Sequence, residues 1–476
     1  MFWQFQNIAK ANTALIDGST GIDLTYEEIG SRCNEIATTI KDVEKKLVLL
    51  FCDNTASSII LYLSALQSGN AVFIANARMD EKLKETLISI YSPEIIFSVS
   101  KLPHIHAEYD CQDIEYNYSF YKTKISNGKS PINKNLAVLL STSGTTGSPK
   151  LVKLSYKNIQ SNAESIAEYL NITETEKPIT SLPMSYSFGL SVINSHILKG
   201  ASIVCTNSSM VMRDFWNLFN INKCTTFSGV PYNYQMLQRL KFDKLELPTL
   251  RAMTQAGGRL SEEFIKYYYD AAISKGIKFF VMYGQTEATA RISYVPFEML
   301  GNKIGSIGIP IPNGQMKIFA GENETSEPGC EGELIYEGEN VMMGYAENRD
   351  DLTKDDELFG KLHTGDLAYK DADGFYYITG RLKRFIKLFG LRVNLDEVEK
   401  MIENEFSAPA ACYGTDESLK ILIQTEDNNF ASIVKNKVIE FYKLHHSVVF
   451  VKSVNKLPIT SSGKKDYQLI QETAGL

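Results

Sequence analysis

Short, wholly apolar runs that alternate with helix-periodic segments constrain the fold of this chain more than any other feature. Leu47-Val48-Leu49-Leu50-Phe51 offers no polar position to turn toward water and reads as a buried strand. Ala56 to Gln67 reads as a helix that ends near Gly69, and Ala71-Val72-Phe73-Ile74 as the next strand. Strand, helix and strand in that order are the signature of a parallel sheet with crossover helices.

A second unit of the same kind follows later in the chain. Ser261 can cap a helix that carries Glu262 and Glu263 in its first turn, with Phe264, Ile265, Tyr268 and Ala272 at helical spacing and Gly276 as its stop. The strand Lys278-Phe279-Phe280-Val281-Met282 comes next and runs directly into Tyr283-Gly284-Gln285-Thr286-Glu287. A loop at the carboxyl end of such a strand is where open α/β sheets bind ligands. Residues 301–345 are rich in Gly and Pro with short alternating runs, which predicts β-structure, and a short helix is expected from Asp396.

With 476 residues the chain is too long for one ordinary core. We therefore expect an α/β protein: a large N-terminal domain, residues 1–382, of parallel-rich α/β subdomains plus a β-rich subdomain. A small, mobile α+β domain, residues 383–476, would follow. The net charge of -7 argues against a nucleic-acid partner, which would leave a basic footprint. The seven cysteines are scattered and form no CxxC, so reduced thiols and a cytoplasmic setting are expected. The first residues, MFWQFQNIAKANTALIDG, lack a basic stretch followed by an apolar one, so no secretory leader is expected. No apolar run approaches the roughly 18 residues that a membrane span needs.

The segment with the most chemical character is Ser141-Thr142-Ser143-Gly144-Thr145-Thr146-Gly147-Ser148-Pro149-Lys150, after the apolar run Leu136 to Leu140. Glycines let backbone N–H groups turn toward an anion, hydroxyls add donors, and Lys150 adds charge. It is not a Walker A loop, because GxxxxGK[ST] is absent and Leu151 to Leu154 reads as a strand, with a helix starting only near Ser155. No GxGxxG follows the first strand, so a dinucleotide-dependent oxidoreductase gains no support.

STSGTTGSPK resembles the phosphate loop of the adenylate-forming superfamily, which contains acyl-CoA synthetases, peptide-synthetase adenylation domains and luciferases. TYEEI (25–29), LPMSYSFGL (182–190), MYGQTEAT (282–289), GELIYEGENVMMGY, HTGDLAYKDADGFYYITGR, IKLFGLRVNLDEVE and LPITSSGKKDYQL resemble further motifs of that family in the family's order. The resemblance implies an ATP-dependent acid–thiol ligase. Such an enzyme converts a carboxylate to its acyl-adenylate and passes the acyl group to coenzyme A or to a carrier protein's pantetheine. It also implies Mg²⁺.

The resemblance gives each residue a role. Lys464 would bridge the substrate carboxylate and the α-phosphate, a task that suits a flexible point charge. Thr286 would bond the α-phosphate, and Glu287 with Thr142 would hold Mg²⁺. Thr142, Ser143, Gly144, Thr145, Thr146 and Lys150 would cradle phosphates. Gly257, Gly258, Arg259, Tyr283, Gly284 and Gln285 would line the nucleotide. Asp366, Ile378 and Arg381 would sit at the sugar. Lys383 would be the hinge, and Gly390 and Arg392 would line the thiol channel.

The acid would meet Tyr186, Phe188, Gly189, His196, Val230 and Ala256. Amino-acid-activating relatives carry an aspartate after this phenylalanine, and Gly189 stands there instead. A buried ammonium without a carboxylate partner is costly, so a small acid lacking an α-amino group is expected. His196 fits a satisfied core histidine better than a substrate contact. No pantetheine-bearing unit is visible after Lys464, so an acyl carrier protein would be a separate partner. The alternatives are an adenylating enzyme with a non-thiol acceptor and an amino-acid-activating enzyme.

Overall fold

The computed structural model describes the whole chain except residues 103–104, 106–107, 115–117, 125–129, 142–149, 383, 389–390, 416, 428, 443, 461–463 and 475–476. It also leaves out the side chains of 113, 114, 385, 387, 391, 392, 468, 473 and 474. The chain forms two compact units, residues 1–315 with 337–362, and residues 316–336 with 363–476. The second unit holds all of 383–476 together with the β-structure before it.

The first unit is built on an eight-stranded sheet among the described residues. At its centre Leu136–Ser141, Ala71–Asn76, Leu47–Cys52 and Ile95–Ser98 run parallel. The expected strands and the helix Ala56–Gln67 between two of them are present. Along Leu47–Cys52 alternate residues enter two different cores, Val48 and Leu50 on one face and Leu47, Leu49 and Phe51 on the other. Both faces are covered, which is why the run contains no polar position. The parallel pairing stops at the flanks. Leu136–Ser141 pairs antiparallel with Leu151–Ser155, which pairs antiparallel with Gly344–Ala346.

A second sheet carries Thr226–Gly229, Ala252–Gln255 and Lys278–Tyr283 in parallel, followed by the antiparallel strands Ser293–Tyr294 and Ile309–Pro310. The helix Glu262–Lys275 begins where Ser261 accepts from the Phe264 N–H, and it ends at Gly276 in the left-handed region. The helix Tyr156–Tyr169 starts at Ser155 with the side chains of Ser155 and Asn158 capping each other's backbone.

The second unit contains a five-stranded antiparallel-rich sheet, among the described residues, that includes Lys361–Lys370 and Tyr376–Arg381. A hairpin of Phe385–Leu388 and Leu391–Asn394 follows. The helix Leu395–Phe406, begun by Asn394, packs with the sheet Ala410–Thr415, Ser418–Gln424 and Val449–Val454. This is the α+β arrangement expected for the end of the chain. No helix among the described residues is long and apolar enough to cross a membrane.

Candidate active site

In the first unit the predicted site residues collect at the carboxyl ends of the three parallel strands of the second sheet. Val230 follows Thr226–Gly229, the run Ala256-Gly257-Gly258-Arg259 follows Ala252–Gln255, and Gly284-Gln285-Thr286-Glu287 follows Lys278–Tyr283. The Gln255 amide donates to the Gly258 carbonyl at 2.9 Å and folds the middle loop back on its strand. Arg259 is exposed and lies 3.8 Å from Glu262. The Tyr283 hydroxyl accepts from the Gln285 amide at 3.1 Å.

The loop after Tyr283 is tightly determined. A Cβ on Gly284 would collide with the Ala290 carbonyl, so only glycine fits there. Ala290 itself holds φ at 108°, a conformation that alanine rarely adopts. Between them the short turn Thr286–Ala288 buries Thr286, whose hydroxyl lies 3.2 Å from that of Ser187. Asn340 donates to the carbonyls of Ala288 and Arg291 at 2.7 and 2.8 Å, bracing the loop from outside.

Glu287 is fixed by a residue that the sequence motifs did not single out. The Tyr345 hydroxyl donates to Glu287 Oε1 at 2.9 Å. The Lys150 ammonium lies 3.8 Å above the Tyr345 ring. Because Leu151–Ser155 pairs with Gly344–Ala346, the sheet register brings Lys150, Tyr345 and Glu287 together. Burial, with Glu287 alongside, pushes the Tyr345 hydroxyl well above its usual range, so it stays a donor. Thr142, Ser143, Gly144, Thr145 and Thr146 lie outside the described residues.

The acyl-site candidates Phe188, Val230 and Ala256 belong to one apolar cluster, with Tyr186 packed against it. Tyr186 and Phe188 open the helix Ser187–Leu198. Gly189 packs against the backbone of Leu182 and Pro183. A Cβ there would collide with the Pro183 carbonyl, so the position serves close backbone packing and has no room for an aspartate. His196 lies one helical turn from Val192, which packs against that cluster. Its Nδ1 bonds the Val192 carbonyl at 2.7 Å inside the helix, and burial lowers its pKa to about 4. Arg291, unremarked in the sequence, is buried and stacks 3.9 Å from the Phe188 ring centre. Its only sequence signal is a charge set between Ala290 and Ile292.

In the second unit Asp366 and Arg381 are paired across antiparallel strands, with Arg381 Nε donating to Asp366 Oδ1 at 3.0 Å. Asp366 is buried while Arg381 is exposed. Ile378 lies half-buried on the same strand as Arg381. The Lys464 N–H donates to the Thr460 hydroxyl at 3.2 Å, and the Lys464 carbonyl accepts from the Thr460 N–H at 2.7 Å. The neighbouring Lys465 bonds Glu399 and Glu403 at 2.7 and 2.9 Å. Arg384 joins the same cluster, 2.7 Å from Glu399 and 3.0 Å from Asp396. Lys383 and Gly390 lie outside the described residues, as does the side chain of Arg392.

Comparison with known proteins bears on the family and the fold. YngI of Bacillus subtilis (strain 168), which carries the name of an acyl-CoA synthetase, is 28% identical over 354 residues, 70% of this chain and 62% of YngI. Oxalate–CoA ligase of Arabidopsis thaliana is 27% identical over 71% of this chain and 67% of its own length. The 2-succinylbenzoate–CoA ligase of Bacillus cereus (strain AH820) is 27% identical over 79% of this chain and 76% of its own. Among solved structures, O-succinylbenzoate coenzyme A synthetase from Bacillus subtilis, in complex with ATP and magnesium, shares the fold. Its TM-score is 0.78 at 22% identity, covering 99% of this chain and 98% of that one. ATP-bound MatB from Rhodopseudomonas palustris also gives a TM-score of 0.78, at 20% identity over 99% and 98% of the two chains. Two of these relatives carry the names of CoA ligases, the kind of protein that the motifs resemble. A family model for AMP-binding enzymes matches residues 2–346, and the chain belongs to the AMP-binding enzyme family.

Proposed function

We propose that this protein is an ATP-dependent, AMP-forming acid–thiol ligase acting on a small carboxylic acid without an α-amino group. The observation that carries this reading is the gathering of three loops at the carboxyl ends of parallel strands. There the Thr286–Glu287 turn, braced by Ser187, Asn340 and Tyr345, adjoins the apolar cluster of Phe188, Val230 and Ala256. The lack of room at Gly189 for an ammonium-pairing aspartate supports the choice of acid. The names of the relatives, which include ligases for oxalate and for 2-succinylbenzoate, support the same choice.

The reaction divides into two steps. A carboxylate oxygen attacks the α-phosphorus of ATP and the bond to pyrophosphate breaks, giving the acyl-adenylate. A thiolate sulfur then attacks the acyl carbon, and AMP leaves with the electron pair of the broken C–O bond. Two anions approach each other in the first step, so positioning and charge neutralisation dominate. Lys464 supplies that charge, Thr286 donates to the α-phosphate, and Lys150 with Thr142 to Thr146 cradles the remaining phosphates. Gly257, Gly258, Arg259, Tyr283, Gly284 and Gln285 line the nucleotide, and Asp366, Ile378 and Arg381 hold the ribose. Lys383 is the hinge of a C-terminal domain that begins there, and Gly390 and Arg392 meet the thiol.

Mg²⁺ fits this donor set, because it takes one or two carboxylates and completes its shell with phosphates and water. Glu287, held by Tyr345, is the carboxylate, and Thr142 is assigned beside it. When bound, the ion neutralises phosphate charge. Coenzyme A is the acceptor that the relatives' names favour, with a separate carrier protein as the other thiol source. A reducing, cytoplasmic setting suits the free thiols.

ATP–pyrophosphate exchange across a panel of carboxylic acids tests the reading. We expect exchange with one class of acid, and a loss of at least about 100-fold in Lys464→Ala, in line with removal of one strong electrostatic donor. Folded wild-type protein that exchanges with no acid would overturn it.

A further inference from the structure

Several cations shielded from solvent have a carboxylate beside them. Lys153 lies 3.2 Å from Glu357, Lys84 2.7 Å from Glu81, Arg349 2.8 Å from Glu94 and Arg384 2.7 Å from Glu399. Arg291 departs from this pattern. It is only 2% exposed, yet the ionisable groups that act on it are the hydroxyls of Tyr169, which also hydrogen-bonds it, and of Tyr186, and no carboxylate among the described residues does. Its Nη1 donates to the adjacent Ala290 carbonyl at 3.1 Å, and its Nε has no hydrogen-bond partner. The Tyr169 hydroxyl meanwhile donates to a weak acceptor, the Met282 sulfur, at 3.0 Å.

A guanidinium cannot escape burial by losing its proton. Burial works against its charge, and an unpaired buried ion is among the most costly groups a protein can hold. The position is not incidental. Arg291 lies over Phe188, in the first turn of the helix whose Ser187 touches Thr286. Its backbone is held by the strained Ala290 and by Asn340. The acyl-site cluster therefore contains a fixed cation with donor capacity to spare.

We propose that Arg291 receives a second anionic group of the acid substrate, a carboxylate at the far end of the chain from the one that is adenylated. The inference rests on the ligase reading above and narrows its substrate to dicarboxylic acids. The planar guanidinium presents parallel N–H donors that match a carboxylate in two-point fashion. The Tyr169 hydroxyl exchanges a sulfur acceptor for an oxygen one. The uncompensated charge is then the specificity device: a neutral acyl tail leaves the guanidinium buried and unpaired, and is rejected on that account.

The test is ATP–pyrophosphate exchange by the wild-type enzyme with dicarboxylic acids of graded length, each matched to its monomethyl ester. The diacid of the fitting length is expected to exceed its half-ester by about 100-fold in kcat/KM, the scale at which a site built for a polar group rejects the analogue lacking it. Arg291→Leu should remove most of that preference by lowering the diacid rate while the half-ester rate holds or rises. Arg291→Lys should retain part of it. A wild-type enzyme that prefers neutral monoacids overturns the inference and leaves the ligase reading standing. Equal losses on diacid and half-ester in Arg291→Leu also overturn it, since they mark Arg291 as a brace. If Arg291→Leu fails to fold, the wild-type preference decides. Exchange with no acid of either kind overturns both.

Discussion

A carboxylate on a short turn is a poor anchor unless something distant holds it. For Glu287 that anchor is Tyr345, whose hydroxyl donates to it and whose ring carries Lys150 on its face. His196 shows the opposite use of burial. Its Nδ1–H is spent on the Val192 carbonyl and its pKa falls from 6.5 to about 4, so the fold holds it neutral. Between those values the unfolded chain binds a proton that the folded chain refuses. Stability of the first unit is therefore lost as pH falls from about 6.5 to about 4, by about 3 kcal/mol in all. His196→Asn, which keeps a donor near Nδ1, should flatten that dependence. Denaturant midpoints of both proteins at neutral pH and near pH 4.5 check it, and equal acid slopes would contradict the assignment.

At the scale of elements, much was legible in the sequence because it is local. Ser155 and Ser261 begin their helices and Gly276 ends one, since capping depends on residues within one turn. The strand Leu47–Cys52 and the loop after Tyr283 follow from apolar runs and their punctuation. What the sequence could not display are the partners set by sheet register and packing. Tyr345 reaches Glu287 only because two strands pair, and Arg291 becomes an unpaired buried cation only once Phe188 covers it. Lys464 and Lys465 look alike as neighbours, yet Lys465 is absorbed by Glu399 and Glu403.

That last cluster carries a prediction. Burial disfavours the Glu399 carboxylate, but Lys465, Arg384 and the Cys412 N–H more than offset this and hold its pKa below the usual range. The cluster joins the helix Leu395–Phe406 to the strand Ala410–Thr415 and to the segment beside Lys464. Glu399→Ala removes the carboxylate that Lys465 and Arg384 share, leaving them Glu403 and Asp396, and should destabilise the second unit by about 1–3 kcal/mol. Unfolding of the purified variant measures this. A loss below about 1 kcal/mol would mean that water replaces the carboxylate.

For the whole molecule, the division of labour is the feature to explain. The phosphate-side and acyl-side candidates belong to the first unit, whereas Asp366, Arg381 and Lys464 belong to the second. The family match ends at residue 346, so these three rest on the resemblance of their motifs and on their local geometry. A ligase that forms an adenylate leaves a stoichiometric record distinct from one that forms an acyl-phosphate. The decisive measurement is the nucleotide balance of a complete reaction with the preferred acid, ATP, Mg²⁺ and coenzyme A, read by chromatography and mass spectrometry. One AMP and one pyrophosphate for each acyl thioester is the expected result; ADP and phosphate, or nucleotide turnover without thioester, would contradict it.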